Sequence, residues 1–287
     1  MLYNYLKLYF RSFLKKKSIS IVTIGGLALG MATSLLILGY ISSELSFDRF
    51  HSNKDRIYRM IWEYGNKNYT TRLQPIAGER IKNEIASVED AIRFFPQSAT
   101  MTIDEGNSDP EVFKADEVLY VDPSFFQVFN FPVHNGDQNP FEDPYSMVMT
   151  RSAAKRYFED EDPVGKRINL RNMFGSVDYT LTAVVEDIPD NSSIRFEILT
   201  TNERLFSDAV GYLGIQSWGA FDTFILTQSG DVDIQEIEST VKEMVDDMDS
   251  EYGSILFQPI EDIHLGSAFL NDGSRGMTRI YAFSSIA

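Results

Sequence analysis

Ser152 and Lys155 stand three residues apart, the spacing at which a lysine can activate a serine nucleophile. The SDN and KTG segments that complete that chemistry in penicillin-binding proteins occur nowhere in the chain. The pair is therefore read as one turn of a short helix. No GxSxG elbow, no HExxH pair and no GxxxxGK[ST] loop is present. The chain thus carries no motif for acyl transfer, zinc hydrolysis or P-loop phosphate binding. His51, His134 and His264 are scattered along the sequence and are read as ordinary histidines. Acidic groups cluster at Asp104-Glu105-Asn107-Asp109, Asp187-Asp190-Asn191 and Asp246-Asp247-Asp249-Glu251. None has the central glycine and distal glutamate of a calcium loop, so each reads as a solvated acidic face. Asn68-Tyr69-Thr70 and Asn191-Ser192-Ser193 match a glycosylation sequon, which matters only in a eukaryotic secretory pathway. There is no cysteine, hence no disulfide, thiol nucleophile or cysteine-based metal site. No metal and no cofactor is expected on this chain.

With local chemistry so sparse, the charge pattern carries the argument. The 287 residues hold 26 basic and 42 acidic side chains, a net charge of −16. All the basic groups of the first 18 residues, Lys7, Arg11, Lys15, Lys16 and Lys17, come without an acid, and residues 19–43 carry no charge. From Glu44 onward the chain has 21 basic and 42 acidic residues, a net −21. Such a body repels phosphate backbones, which excludes a nucleic-acid partner.

Ile19 to Ile41 is continuously uncharged and spans roughly 35 Å as a helix, enough to cross a hydrocarbon core of about 30 Å. The apolar region of a signal peptide is shorter, about 7–15 residues, so a membrane helix over 19–43 is expected rather than a cleaved signal or a core helix. Lys15, Lys16 and Lys17 directly precede it, which by the positive-inside rule puts the N-terminus in the cytoplasm and the acidic body outside. Gly26, Gly30 and Ser34 recur every four residues, a row of small side chains that lets a second helix approach closely. Upstream, Leu2, Tyr5, Leu6, Tyr9, Phe10, Phe13 and Leu14 recur at helical spacing opposite Lys7, Arg11 and Lys15. That pattern predicts an interfacial helix within residues 1–18, lying in the headgroup plane of the bilayer.

The body after the span reads as mixed α and β. Ser52-Asn53-Lys54-Asp55 has the form of a capping box. A strand is expected over Ile57–Tyr64 and a helix from Pro75 with Ala77, Ile81, Ile85 and Val88 on its apolar face, then strands at Ala91–Phe95 and Glu117–Val121. The middle section starts with a turn and short helix at Pro123–Phe126. Met147–Thr150 is a strand, and Arg151–Phe158 is a helix capped by Thr150. Strands follow at Arg167–Leu170 and Tyr179–Val185, with an alternating strand at Ile194–Ile198. A strand at Thr223–Thr227, an amphipathic helix over Asp233–Met248 and a strand at Ile255–Gln258 complete a second β-α-β unit.

Several of these stretches together resemble a known family. KKKSISIVTIGGLALGMATSLLILGYISSELSFDRFHSNKDRIYR, VDPSFFQVFNFPVHNGD, VMTRSAAKRYFEDEDPVGKRINL, YTLTAVVEDIPDNSSIRFEIL and FQPIEDIHLGS resemble, in order, the MacB-like periplasmic core region of FtsX-type ABC transporter permeases. The resemblance implies an α+β fold. One N-terminal transmembrane helix precedes a two-lobed extracytoplasmic domain, with a porter-like β-α-β lobe over 44–121 and 200–275 and a smaller α/β lobe inserted over 122–199. It implies a permease subunit in a bacterial inner membrane, paired with a second permease copy and with an ABC ATPase that supplies the ATP chemistry. An envelope protein, or an exported peptide or lipoprotein, would be the outer partner. Such permeases have further spans, and residues 276–287 read as the first turns of a second one cut short. The joint between span and body, which would transmit motion, is expected to use Glu44, Phe47, Asp48, Phe50 and Tyr58. The alternative from another class is a single-span sensor that binds an extracytoplasmic ligand without a transporter partner.

Overall fold

The computed structural model describes residues 17–64, 68–103, 110–208, 219–246 and 253–266. The expected interfacial helix, Lys15 and Lys16, the acidic cluster at 104–109, most of the cluster at 246–251 and the expected second span at 276–287 lie outside these residues. The chain divides into two compact units, one reaching to Ser46 and the other beginning at Phe47.

The first unit contains helix α1 (Lys17–Glu44), two residues longer at its start and one at its end than the uncharged run. It is long and apolar enough to cross a membrane, and none of its residues is buried. Exposed leucines, isoleucines and valines cover it on all sides, which in water would be unfavourable at about 25 cal/mol per Å² and in lipid costs nothing. Two of its hydroxyls bond within the helix: Thr23 Oγ1 donates to the Ile19 carbonyl and Thr33 Oγ1 to that of Leu29.

In the second unit two β-α-β units interleave. β1 (Ile57–Tyr64) leads, through the short β2 (Asn68–Thr70) and β3 (Arg72–Leu73), to α2 (Pro75–Glu84) and β4 (Val88–Ile103). After β5 (Glu111–Val121), α3 (Phe125–Val128), β6 (Val133–Gly136), β7 (Ser146–Thr150), α4 (Arg151–Phe158), β8 (Arg167–Asn172), β9 (Gly175–Val185), β10 (Ile198–Thr201) and α5 (Glu203–Asp208), the second unit runs β11 (Phe221–Thr227), α6 (Ile234–Asp246), β12 (Ile255–Pro259). The chain closes its described part with α7 (Ile263–Gly266). β12, β1, β11 and β4 lie side by side in that order, all antiparallel, the arrangement of a split β-α-β pair. α2 and α6 cover one face through Ile81, Ile237 and Val241, joined by Ile85 just past the end of α2, and these pack on Met60, Ile225 and Phe257. The opposite face is aromatic, with Phe94, Phe125, Phe129, Phe131, Phe141, Phe196 and Phe224 in one buried cluster.

β4 is long enough to serve a second layer. Beyond Phe95 its side chains turn into another core, where β4, β5, β10, β7, β9 and β8 pair in a ring that closes back on β4. Met101, Ile103, Met147, Met149, Ile168, Leu170 and Leu181 fill its inside, with Ala153, Tyr157 and Phe158 of α4. Chain segment 122–199 leaves next to β5 and returns on β10, and these two strands pair in parallel with Val121 opposite Thr201.

Three local expectations are corrected. α2 stops at Glu84, so Val88 belongs to β4 although it packs in the same core. Ile194–Ile198 alternates in burial as expected, yet only Ile198 joins a strand. Its hydrogen bonds are single ones, Glu197 N to the Glu117 carbonyl and Thr150 N to the Glu197 carbonyl, rather than a ladder. The box at Ser52–Asp55 does not form: the 3-10 turn Lys54–Arg56 has no side-chain cap, because Ser52 and Asn53 are engaged elsewhere. Pro75 at the first helical position and Thr150, whose Oγ1 accepts from Ala153 N at 3.3 Å, cap as expected.

Candidate functional site

The residues that follow α1 in sequence pass into the second unit through an unusual backbone. Asp48 has φ of 56°, in the left-handed region that only glycine, asparagine and aspartate enter readily. The turn is held by Asp48 N donating to the Asn191 carbonyl at 2.9 Å and Ser193 N donating to Asp48 Oδ1 at 2.8 Å. The carboxylate is fully buried. Burial pushes its pKa up, against the opposing pull of the Ser193 hydrogen bonds.

Each neighbour of Asp48 is fixed in its own way. The Phe47 ring stacks flat on His264, with centroids 3.4 Å apart and planes 2° from parallel. Arg49 reaches Glu261 at 3.1 Å, and Lys54 reaches the same carboxylate at 3.2 Å. Phe50 packs on His51 at 4.1 Å and against the edge of Phe131 at 5.9 Å. His51 is 1% exposed, wedged between Phe50, Phe129 and Phe131. Its Nδ1 accepts from Asn130 N at 3.0 Å, which assigns the proton of the neutral ring to Nε2. Burial pulls its pKa down to about 4, so the ring is neutral at pH 7.

Ser52 N and Ser52 Oγ both donate to Asn130 Oδ1, at 2.7 and 2.8 Å. Asn53 Nδ2 donates to the Val128 carbonyl at 3.1 Å. Asn130 can serve this purpose because Phe129 and Phe131 point into the aromatic core on either side of it, leaving Asn130 facing outward. Seven consecutive residues, Phe47 to Asn53, are thus clasped to three remote stretches, 127–131, 191–193 and 261–264.

Of the joint residues expected from sequence, Phe47, Asp48 and Phe50 meet in this clasp. Tyr58 packs on the other face of β1, in the core under α2 and α6. Glu44 is the last residue of α1. Sequence reasoning missed His51, Ser52, Asn130, Ser193, Glu261 and His264, whose partners lie tens to hundreds of residues apart. The local signal was the density of Asn, Ser and His beside aromatic residues in FDRFHSN and FQVFNF. In α1, a side chain built at Gly26 or Gly30 would meet nothing within 4 Å. Lys17 opens the helix. Ser152 is occupied in capping: its N and Oγ both donate to Asp187 at 2.7 Å. His134 lies 2.9 Å from Glu186 on the surface. No group of three or more metal-ligating side chains occurs among the described residues.

A family model described as the MacB-like periplasmic core domain matches residues 20–244. Among solved structures, the chain is similar to a domain of a protein described as a permease from Porphyromonas gingivalis. The TM-score there is 0.59 with 19% identity, over 73% of this chain and 92% of that one. The periplasmic region of MacB from Actinobacillus actinomycetemcomitans matches with a TM-score of 0.50 and 12% identity, over 72% of this chain and 90% of that one. No curated protein matches in sequence.

Proposed function

The chain belongs to the family of MacB-like periplasmic core domains, and from that premise we propose that it is the membrane-anchored outer part of an ABC transporter permease. In this reading α1 crosses a bacterial inner membrane with Lys15–Lys17 on the cytoplasmic side. A second permease copy packs against Gly26, Gly30 and Ser34. A partner subunit binds and hydrolyses ATP, and this chain does no covalent chemistry and needs no cofactor. Nucleotide-driven motion below the membrane displaces the two-lobed body above it, and that displacement acts on an envelope protein or an exported peptide or lipoprotein.

The observation that carries the proposal is the clasp over Phe47–Asn53. Each of these seven residues at the start of the body is bonded or stacked to the rest of it. A loose linker would absorb displacement, whereas packed elements move as rigid units.

The test uses the full-length permease with its ATPase in lipid nanodiscs, spin-labelled at Met173, which is 70% exposed. The distance between the labels of the two copies is measured without nucleotide and with ATP trapped by vanadate. A shifted distance distribution is expected. An unchanged distribution during measured ATP turnover would refute mechanical coupling. A chain that recruits no ATPase and binds an envelope ligand alone would establish the sensor reading instead.

A further inference from the structure

On the outer wall of the strand ring, where β7 begins, lies a groove of about 630 Å³. Asp143, Tyr145, Ser146, Arg167, Asp178 and Thr180 are among the residues lining it. Its volume lies in the range of ligand sites, about 300–1,000 Å³, and it shares no residue with the clasp.

One side of the groove is an open strand edge. β7 pairs with β9 from Ser146 opposite Thr180 onward, toward Val185. β8 pairs with β9 from Thr180 back to Gly175. Residues 175–179 therefore have β8 on one edge and, among the described residues, no strand on the other. The direction of their main-chain groups follows from one bond. Thr180 N donates to the Tyr145 carbonyl at 2.8 Å, so the N–H of Thr180 faces the β7 side. By the period of two along a strand, Asp178 and Ser176 turn their N–H and C=O groups to that same side. The hairpin gives the same answer independently. Its two-residue turn, Met173-Phe174, is closed by the pair Asn172 and Gly175. In the alternating antiparallel pattern this makes Gly175, Val177 and Tyr179 the residues bonded to β8 and leaves Ser176 and Asp178 facing out.

Ser176 and Asp178 both line the groove, and by this register their two main-chain donors and two acceptors face the side on which, among the described residues, no strand pairs. Their side chains are already engaged on the β8 side. Ser176 Oγ donates to Asn169 Oδ1 at 2.6 Å and Asn169 Nδ2 donates to Asp178 Oδ1 at 2.6 Å. At the head of the groove the fully buried Ser146 Oγ has no hydrogen-bond partner among the described residues. What the groove offers an incoming molecule is therefore chiefly backbone, along an unpaired stretch of roughly 17 Å.

We propose that this groove receives an extended segment of a partner polypeptide, which adds as a strand to the Ser176–Asp178 edge of β9. Main-chain hydrogen bonds hold it, in line with β7, as in other cases of strand addition. A saccharide, which lacks the alternating amide pattern, would use the side-chain hydroxyls instead.

Two measurements on the full chain in nanodiscs test this. Amide hydrogen exchange of the free protein should be fast at Ser176 and Asp178 and slow at Val177 and Tyr179. A displayed library of random decapeptides is then selected on the protein, and the enriched peptides are synthesised and titrated. Ser176→Pro removes the outward N–H and spares the β8 ladder, where proline is tolerated on an open edge. Ser176→Ala removes only the hydroxyl. Binding should weaken by about tenfold or more in S176P, the loss of one to two hydrogen bonds, and by less than about twofold in S176A. Bound peptide should slow exchange at Ser176 and Asp178. If S176P misfolds by circular dichroism, Asp178→Pro makes the same test at the other outward amide. Slow exchange at both amides in the free chain, no enriched peptide, or peptides that bind the proline variants as well as the parent would overturn the proposal.

Discussion

Acidifying the protein should weaken the clasp through one residue, His51. Its ring is neutral when folded, with a pKa pulled down to about 4 from the usual 6.5 by burial. In the unfolded chain the same ring takes up its proton near pH 6.5. Between these values the unfolded state binds more protons than the folded one, so stability rises with pH and falls as pH is lowered. The contribution is complete above pH 6.5 and is lost progressively down to about pH 4. The full loss is about 3 kcal/mol, from about 1.4 kcal/mol per pK unit, and about 2 kcal/mol of it is gone by pH 5. Geometry points the same way: a proton on Nδ1 would face the Asn130 N–H that this atom now accepts. Asp48 works in the opposite sense. Burial raises its pKa, so the folded state gains relative stability as the pH falls toward that raised value. The His51 term must therefore be isolated by difference. Urea unfolding of the full chain, followed by tryptophan fluorescence at pH 7 and pH 5, is compared with His51→Asn, which keeps an acceptor for Asn130 and cannot titrate. The parent should lose about 2 kcal/mol more than the variant over this interval. Equal losses in the two proteins would refute the argument that a buried neutral imidazole holds this turn.

Three further outcomes are expected. Asp48→Asn keeps an oxygen for Ser193 N and tolerates the left-handed backbone, so at pH 7 it should match or exceed the parent in stability, whereas Asp48→Ala should lose about 1–3 kcal/mol in the same urea experiment. Asp122 accepts three hydrogen bonds from Arg93, at Nε, Nη2 and the backbone N. Removing its carboxylate in Asp122→Ala leaves a guanidinium that is only 17% exposed with the Pro75 carbonyl and the Phe206 ring but no counter-charge from Asp122, and should cost about 3 kcal/mol in calorimetry, with a smaller loss in Asp122→Asn. Replacing Phe47 and Phe50 together by glycine in the intact permease should uncouple ATP hydrolysis from export while the ATPase still copurifies, and unchanged export per ATP would count against the joint.

The elements with a strong local signal were legible in the sequence. α1 announces itself by 25 uncharged residues, and α4 by Thr150 at its N-cap and the apolar Ala153, Ala154, Tyr157 and Phe158 on one side. β4 and β5 were found only in part, at Ala91–Phe95 near the start of β4 and at Glu117–Val121, the end of β5. The remaining stretches interleave polar with apolar side chains, and their inward-facing set becomes clear only when they pair with each other and with β8. The segment at Ile194–Ile198 shows the converse. Alternation reports which side chains are buried, and burial against the aromatic core does not require a strand partner. Phe47, Asp48 and Phe50 were chosen from their place after the span. Their partners were not legible, because His264 and Asn130 meet them only through tertiary convergence. Tyr58 shows the limit of proximity in sequence: inside a strand, one residue's shift changes the face.

If the proposed coupling holds, the chemistry of the clasp suits it better than a plain apolar contact would. Apolar packing is non-directional. Hydrogen bonds weaken steeply when their angle degrades, so bonds such as Ser52 to Asn130 and Ser193 to Asp48 resist displacement in defined directions. The three sets of attachments also lead to different parts of the body. Asp48 ties to the 191–193 turn just ahead of β10, while His51, Ser52 and Asn53 tie to the 127–131 stretch between α3 and β6. Phe47 and Arg49 tie to the segment after β12. A pull applied at Phe47 is therefore shared among three segments that enter the same sheet at separate strands. Under the proposed coupling, such a pull would move that sheet as a whole instead of peeling off one loop.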